Sequence, residues 1–463
     1  MNRGITDRTL FSTATGEQRQ ALGSRSAATE CSNPGYTPVY VMNPYYTGIG
    51  IARSLHRSGV PVFALTSEPD APGTRSRYFD DVCIVPNGRD EPEQLCQRLL
   101  EIAAEHHNDS KPVIFPTRDF DVLFLHDYHD VLAARYLLPH RPGSSVVRVM
   151  DKFELNTVAV KLGIPAPQTV NCESTATIER HAHALRFPLI VKPRFAYQWR
   201  RKGVWQEVGA QKAIIVETEE ELRAICRRLE NVRDEVLLQE YVPGDDSDIV
   251  VFCCYVDRDG KIVGHFTARK LSQNPPLIGT GSVVEAIEVL PVIEPSVQLL
   301  RALSYSGLAE IEYKHDKASD TYFLIEINPR HWDQHELGSL VGVNLTWLAY
   351  SDLIGRQQPA VRPSYATGSK YKWIAETELA YGIVRKLRAD LRSPSGPPHF
   401  AMRCLTAFKG AYGEARSLLS GRKIFAMCSL RDPMPGILTF VGLLRDAFRL
   451  TSRSPRAKVA AER

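Results

Sequence analysis

The chain has 463 residues, of which 43% are hydrophobic and 24% are charged, as is usual for a soluble globular protein. This length exceeds what a single hydrophobic core holds, so we expect two or three domains. The net charge of +4 hides an asymmetry, because residues 381–463 carry 16 Lys and Arg against 5 Asp and Glu. We interpret this basic excess as a solvated helical face, with an acidic partner, nucleic acid or membrane phosphate as alternatives.

The cysteines and the apolar segments predict the compartment. Nine cysteines are scattered without a Cys-x-x-Cys pair or a zinc-like His/Cys spacing. The N-terminus lacks the apolar stretch of a signal peptide. The longest apolar segment near the end, Met434 to Leu444, is shorter than the roughly 20 residues that cross a bilayer. We therefore expect a soluble protein of the reducing cytoplasm.

The first third of the chain predicts a small α/β domain. Residues 1–35 are rich in Ser, Thr, Ala, Arg and Gly without periodicity, which predicts a disordered leader. From Thr37 a strand, a glycine-containing turn, an amphipathic helix and a second strand follow in a βαβ order, which predicts a parallel sheet over residues 36–145.

Two features of this domain bear on ligands. The segment "TGIGIARSL" lacks the third glycine of a dinucleotide fingerprint, because Arg53 stands there, so a nicotinamide cofactor is not expected. In "FPTRD", Thr117 and Asp119 follow a strand at the mouth of the sheet. Substrate contact and capping of the next helix are equal alternatives for both residues.

Residues 146–355 predict a second domain that contains two hairpins. The first covers residues 248–271, with Asp259 and Gly260 as turn residues. The second covers residues 308–330 and consists of mostly alternating strands. Beyond Gly355 the sequence is basic, and we expect a helical C-terminal extension over residues 356–463.

The second hairpin carries the most informative polar residues. Glu326, Asn328 and Arg330 are two residues apart and share a face where the strand stays extended. Glu312 lies on the partner strand, where the hairpin brings it opposite, and Glu310 is the alternative to it. Two carboxylates and an amide oxygen form an oxygen cage that suits magnesium. Arg330, beside it, is placed to hold an anionic intermediate.

Six segments occur in a specific order: "DKFELN", "PLIVKP", "QEYVPG", "ARKL", "GTGS" and "EINPR". In this combination the chain resembles the ATP-grasp superfamily, in particular carboxylate–amine ligases similar to D-aspartate ligase. The resemblance covers about residues 38–355. It implies a mixed α/β and α+β fold, with a degenerate Rossmann-like pre-ATP-grasp domain followed by an ATP-grasp domain.

The resemblance also implies roles for residues in these segments. Lys152 and Lys192 match the two lysines that contact ATP phosphates, and the backbone around Glu240 and Val242 matches the part that pairs with adenine. Further roles fall on Asp248 for the ribose, with Asp245 as alternative, and on Arg269 for the terminal phosphate and the acyl phosphate, with Lys270 as alternative.

Two segments depart from the family pattern or extend it. The loop that closes over the phosphates is usually rich in glycine, but residues 194–211 carry aromatic and cationic side chains, so this loop relies more on side-chain charge. After Arg330 the chain continues as "HWDQHELGS" toward the expected acceptor side. His335 and Asp333 are the candidates for the base that deprotonates the amine, and a structural role is the alternative.

Together these features predict an ATP-dependent carboxylate–amine ligase that forms an acyl phosphate and releases ADP and phosphate. The expected cofactors are ATP and Mg²⁺, with Mn²⁺ as an alternative ion. The expected partners are a small carboxylate, with an amino acid as donor, and an amine, without nucleic acid. A nucleotide-binding regulatory module without turnover, and a ligase that uses a non-amine acceptor, are the rival hypotheses.

Overall fold

The computed structural model describes residues 36–107, 110–141, 143, 145–173, 175–182, 184–201, 203–230, 232, 235–365, 370–392 and 420–452. The predicted leader, residues 1–35, lies outside these ranges. None of the helices within them combines the length and the apolar character needed to cross a bilayer.

The first sheet confirms the predicted βαβ arrangement. Its four strands are parallel and follow the order β3-β2-β1-β4. The strands are β1 (Val39–Met42), β2 (Val62–Thr66), β3 (Asp81–Ile84) and β4 (Val113–Phe115). The helices of this region are α1 (Tyr46–His56), α2 (Pro92–His106), α3 (Asp119–Asp127) and α4 (His129–Leu132).

Arg53, in α1, is buried although it is charged. Its guanidinium donates to the Phe425 carbonyl at 2.8 Å and the Met427 carbonyl at 3.4 Å, and forms an ion pair with Glu336 at 3.3 Å. The residue that replaces the third glycine of a dinucleotide fingerprint therefore connects the first sheet to later parts of the chain.

Two helices lead into the second sheet: α5 (Val146–Met150) and α6 (Lys152–Lys161). The Asp151 carboxylate caps α6 by accepting from the backbone N–H groups of Phe153 and Glu154. This cap fixes Lys152 at the first position of the helix, close to the third sheet.

The second sheet is small and antiparallel, with the order β5-β8-β6-β7. Its strands are β5 (Thr169–Cys172), β6 (Leu189–Pro193), β7 (Ile214–Val216) and β8 (Val236–Glu240). Its helices are α7 (Thr175–Ala182), α8 (Ala196–Trp199), α9 (Val204–Glu207) and α10 (Glu219–Arg228). The aromatic loop over residues 194–211 therefore forms two short helices.

The third sheet has seven strands in the order β13-β12-β9-β10-β11-β14-β15, all antiparallel except the last pair. They are β9 (Ile249–Val256), β10 (Ile262–Asn274), β11 (Thr280–Ala286), β12 (Gly307–Asp316), β13 (Thr321–Asn328), β14 (Tyr371–Ile374) and β15 (Arg422–Phe425). Both predicted hairpins are present, as β9–β10 and β12–β13. The remaining helices are α11 (Ile293–Ala302), α12 (Leu337–Leu340), α13 (Leu345–Leu353), α14 (Glu376–Arg392) and α15 (Pro433–Ser452).

The prediction that the extension after residue 355 is helical was wrong in part. Besides α14 and α15, two strands of this region continue the third sheet, with β14 pairing with β11 and β15 with β14. Each strand has only four residues, which is too short for an alternating pattern to show in the sequence.

The two faces of β12 have different environments, because successive side chains of a strand point to opposite sides. Ala309, Ile311 and Tyr313 belong to the apolar core against α6 and α11. Glu310 and Glu312 alternate with them and therefore point to the other face, where the polar site lies.

Candidate active site

The β12–β13 hairpin places the predicted polar residues opposite one another. Glu312 is the register partner of Glu326, and Glu310 is the partner of Asn328. The Asn328 side-chain amide donates to Glu310 at 2.9 Å and to Glu312 at 3.4 Å. The hairpin therefore brings together the three predicted metal ligands and the alternative, Glu310.

Glu310 has a distinct environment within this group. Its carboxylate accepts from the side-chain amides of Asn328 and Gln334. Burial and the neighbouring charge of Glu312 raise the pKa of Glu310 to about 8. The environment of Glu310 thus favours its neutral form, which makes Glu312 the better ligand for a cation.

Two lysines neutralise the other two carboxylates. The Lys270 ammonium lies 2.7 Å from a Glu312 oxygen, and the Lys152 ammonium lies 3.4 Å from a Glu326 oxygen. Burial opposes ionisation of Glu326, but the positive charges of Lys152 and Lys192 lower its pKa to about 2. The site thus balances anionic and cationic side chains at short range.

Two further lysines have depressed pKa values. Lys192 is buried and donates to the Gln239 side chain at 2.8 Å, and burial together with the charge of Lys152 lowers its pKa to about 7. Lys212 has an exposed side chain that donates to the Thr280 hydroxyl at 2.8 Å, and the positive charges of Arg200 and Lys270 lower its pKa. Both ammonium groups lack a carboxylate partner among the described residues, so an anionic ligand would stabilise their charged forms.

A cavity of about 360 Å³ collects these groups from the second and third sheets and from the segment that follows β4. Its cationic side chains are Arg118, Lys152, Lys192, Arg200, Lys212, Lys270 and Arg330, and its acidic ones are Asp119, Glu310, Glu312, Glu326 and Asp333. A larger open groove of about 940 Å³ lies elsewhere, around Arg258 and Arg301, but it contains none of the predicted site residues. The chemistry of the side chains therefore favours the smaller cavity.

Arg330 and Asp119 form an ion pair across this cavity. The Arg330 side chain donates to the Asp119 carboxylate at 2.7 Å, and both groups are largely buried. Burial opposes ionisation of Asp119, but the charge of Arg330 lowers the pKa of Asp119 to about 2. Asp119 also begins α3, whereas Asp121 accepts from the backbone of Thr117 and Arg118.

The prediction for Arg269 needs correction. Its guanidinium forms an ion pair with Glu285 at 3.0 Å and lines a separate groove, not the cavity. The adjacent residue Lys270, named as the alternative, points to the opposite face of β10 and lines the cavity. Because neighbouring side chains of a strand point in opposite directions, only one of the two cations reaches the site.

The residues predicted to bind the nucleoside lie at the edge of the site or outside it. Asp248 forms an ion pair with Lys317 at 2.6 Å and lines the same separate groove as Arg269. Asp245 does not line the cavity either. The Glu240 backbone N–H donates to the Gln168 carbonyl, and Val242 is buried after the end of β8. The nucleoside contacts of Asp248, Glu240 and Val242 stay predictions.

The structure separates the two candidates for the base. Asp333 lines the cavity, where it accepts from the Thr47 hydroxyl at 2.7 Å. His335 is buried outside the cavity between Thr47 and Thr346, and burial lowers its pKa to about 4. The geometry therefore favours Asp333 over His335.

The side chains of this site fit Mg²⁺ only if substrate phosphates supply further ligands. Among the residues that the structure describes, no group of three or more His, Cys, Asp or Glu side chains has a metal-binding arrangement. Glu312, Glu326 and Asn328 supply two carboxylates and an amide oxygen. Mg²⁺ commonly uses one or two carboxylates together with substrate phosphates, so this set suits an ion that arrives with a nucleotide.

Sequence reasoning missed several residues of the cavity. Lys212, Gln239 and Trp199 line it, but none of them was a candidate. The loop containing Trp199 was noted for its aromatic residues, and that composition was the available signal. Nothing in the sequence around Lys212 distinguishes it from a surface lysine.

No family model matches the chain, but individual proteins of known activity are similar to it. D-aspartate ligase from Enterococcus faecium (strain Aus0004) is 25% identical over 371 residues, which cover 77% of this chain and 84% of that protein. The crystal structure of L-amino acid ligase from Bacillus licheniformis gives a TM-score of 0.53 at 15% identity, covering 68% of this chain and 74% of that one.

A second similar structure contains a nucleotide. The biotin carboxylase domain of 2-oxoglutarate carboxylase from Hydrogenobacter thermophilus, in complex with MgADP and bicarbonate, gives a TM-score of 0.55 at 16% identity. The match covers 70% of each chain. At such identities the two solved structures show a common fold.

Proposed function

Because this chain is an ATP-grasp ligase of the type that forms carbon–nitrogen bonds, we propose that it activates an amino-acid carboxylate as an acyl phosphate and transfers the acyl group to an amine. The observation that carries this proposal is the convergence of Glu312, Glu326 and Asn328 with four lysines and Arg330 in one cavity.

The lysines are the proposed contacts of the ATP phosphates. Lys152 at the start of α6, Lys192 on β6, Lys212 just before β7 and Lys270 on β10 all line the cavity, and a triphosphate carries enough negative charge to pair with all of them. Lys192 and Lys212 have depressed pKa values, so phosphate oxygens would supply the negative charge that their environments lack.

Mg²⁺, when bound, would be held by Glu312, Glu326 and Asn328 and would offset negative charge on the phosphates. The Glu312 carboxylate has two oxygens, of which one contacts Lys270, so it would hold the ion without losing that lysine. Lys270 lines the same cavity and would also be placed to donate to a phosphate oxygen.

In the first step a carboxylate oxygen of the donor attacks the γ-phosphorus of ATP. The new oxygen–phosphorus bond forms an acyl phosphate, and the bond to the β-phosphate oxygen breaks to release ADP. The lysines orient the γ-phosphate and neutralise its oxygens, which is the main contribution that a protein makes to phosphoryl transfer.

In the second step an amine attacks the acyl carbon, and the carbon–oxygen bond to the phosphate then breaks. Arg330 lines the cavity and is the proposed donor to the tetrahedral oxyanion, while Asp119 fixes its orientation at 2.7 Å. Asp333 is the proposed acceptor of the proton that the amine loses.

An amino acid is the proposed donor, because two similar proteins are named as a D-aspartate ligase and an L-amino acid ligase. The cavity supports a donor that carries both charges. Arg330 lines the cavity where it would face a carboxylate, and Asp333 lines it where it would face an ammonium group. These residues are proposed to distinguish amino acids from simple carboxylates.

The test is nucleotide turnover with Mg²⁺ and separate pools of D- and L-amino acids, with hydroxylamine to trap an acyl phosphate as a hydroxamate. We expect amino-acid-dependent release of ADP and phosphate by the wild type, and none by Glu326→Ala. Glu294→Ala, an exposed glutamate on α11, is the matched control and should turn over normally. Release of AMP and pyrophosphate, or absence of the hydroxamate, would contradict the acyl-phosphate route.

A further inference from the structure

An apolar stripe runs along the outer face of α15. Met434, Ile437, Phe440, Val441 and Leu444 are all exposed, at spacings of three and four residues that align them on one side of a helix. The exposed fractions of Ile437, Phe440 and Leu444 are 50%, 61% and 44%. The apolar face of a surface helix normally packs against the core, whereas this stripe faces the solvent.

The inner face of α15 is fixed to the rest of the molecule. Asp432, just before the helix, is buried and accepts from the Ser76 hydroxyl at 2.6 Å and the Arg77 backbone N–H at 3.0 Å. Gly436 lies so close to Cys428 that a side-chain carbon in its place would come within 2.7 Å of the sulfur. The helix therefore holds the stripe at the surface.

The stripe is continuous, whereas the other exposed apolar side chains are dispersed over the chain. Leu430, which is fully exposed, precedes α15 and extends the apolar surface. A contiguous patch of this kind marks an interaction surface, while single exposed apolar residues are ordinary. The outward positions from Met434 to Leu444 present no hydrogen-bonding side chain to a partner.

The charged residues beside the stripe indicate which kind of partner binds it. Arg431 and Arg445 flank it and are exposed. From Arg445 to the end of the sequence there are six Lys and Arg against two Asp and Glu. An apolar helical face with basic flanks binds in the interfacial layer of anionic membranes, and it does not span them. A second copy of the chain would bring two basic segments together, which is unfavourable.

We propose that α15 docks this protein on an anionic lipid surface, with Met434, Ile437, Phe440, Val441 and Leu444 inserted among the acyl chains and the adjacent arginines on the headgroups. The interaction is peripheral and reversible, because only one face of one helix takes part. It is independent of the proposed ligase reaction, since no residue of the stripe lines the cavity.

The test is cosedimentation of the full-length protein with two kinds of vesicle: phosphatidylcholine alone, and equal parts phosphatidylcholine and phosphatidylglycerol. The wild type should pellet with the anionic vesicles and be partly released by high salt. The triple variant Ile437→Ser, Phe440→Ser, Leu444→Ser should lose binding by about tenfold or more. The matched control Ile84→Ser, Val131→Ser, Leu290→Ser removes three exposed apolar side chains elsewhere and should bind as the wild type does.

A second measurement uses a variant that is expected to keep membrane binding. In Phe440→Trp, the added indole should shift its emission to shorter wavelength when anionic vesicles are added, relative to the wild type. Absence of both wild-type pelleting and this shift would overturn the proposal. A lipid-free dimer of the wild type that becomes monomeric in the triple variant would also overturn it, because a second copy would then cover the stripe.

Discussion

Lys270 and Glu312 form a buried ion pair, with 2.7 Å between the ammonium nitrogen and a carboxylate oxygen. Burial opposes the charge of Lys270, but the negative charge of Glu312 outweighs it and raises the pKa of Lys270, so the lysine is charged. In the proposed reaction a metal ion and this lysine would use the same carboxylate. Lys270 and Glu312 would therefore act as one unit that holds the nucleotide phosphates and the ion.

The side-chain orientation on β10 predicts different effects for two adjacent cations. Lys270→Met should raise KM for ATP and reduce kcat/KM by about 10²-fold, because a cation at the phosphates is lost and Glu312 is left unpaired. Arg269→Met is the matched control, and we expect a change of less than about threefold since its ion pair is partly exposed. Steady-state ADP release measures both. The reverse ranking would restore Arg269 as the catalytic cation.

Substitutions of the two glutamates on β12 should also differ in their effect on turnover. Glu312→Gln should lower kcat by about 10²-fold or more and weaken the Mg²⁺ dependence, because a carboxylate ligand is lost. Glu310→Gln should cost less than about tenfold, since the raised pKa of Glu310 favours the neutral acid and a neutral amide can replace it. A Mg²⁺ titration of ADP release distinguishes the two variants. Equal losses would make Glu310 a ligand as well.

Nucleotide binding should take up protons in mildly alkaline solution. The pKa of Lys192 is about 7, so this group is mostly neutral at about pH 8.5, and a bound phosphate favours its charged form. Calorimetry of ATP binding in two buffers that differ in ionisation enthalpy should show proton uptake at this pH, of which Lys192 contributes close to one proton. Lys192→Gln should reduce the uptake. Binding by the wild type without proton uptake would contradict a phosphate contact of Lys192.

The Arg330–Asp119 ion pair predicts an acid-sensitive stability. The folded pKa of Asp119, about 2, is below its unfolded value of about 3.9, so the contribution is present above about pH 4 and is lost as the pH falls toward 2. Asp119→Asn leaves Arg330 buried without a counter-charge and should cost about 3 kcal/mol in the free energy of unfolding.

Urea unfolding at several pH values measures this effect. The variant should lose stability less steeply than the wild type between about pH 4 and pH 2, because it lacks the proton uptake of Asp119. Asp130→Asn removes an almost fully exposed carboxylate and is the matched control. Parallel curves for Asp119→Asn and the wild type would show that the ion pair does not stabilise the fold.

A residue of the site could be predicted where the neighbouring sequence determines its position, and could not where distant packing does. The β12–β13 hairpin and the pairing of Glu312 with Glu326 followed from strand alternation and hairpin length. The orientation of Lys270 did not, because β10 has register shifts after this residue and the letters "ARKL" do not fix the phase of the strand. Lys212 reaches the cavity only through the packing of the second sheet on the third, which one sequence does not encode locally.

The C-terminal strands were missed for a related reason. Residues 371–374 pair with β11, which is more than eighty positions earlier in the chain, and all four are buried. A pairing over such a distance leaves no periodic trace in a four-residue segment. The basic composition of the surrounding residues then favoured an exposed helix.

Arg53 determines how this protein can be shortened. A chain ending at residue 355 would keep every predicted catalytic residue, yet it would remove the carbonyl groups of Phe425 and Met427 that accept from Arg53. The buried guanidinium would keep only Glu336, which follows the cavity residue Gln334 by two positions. The described segment that contains Phe425 and Met427 therefore supports the preceding part of the chain, and a chain that lacks it should be destabilised and should not fold as an independent enzyme.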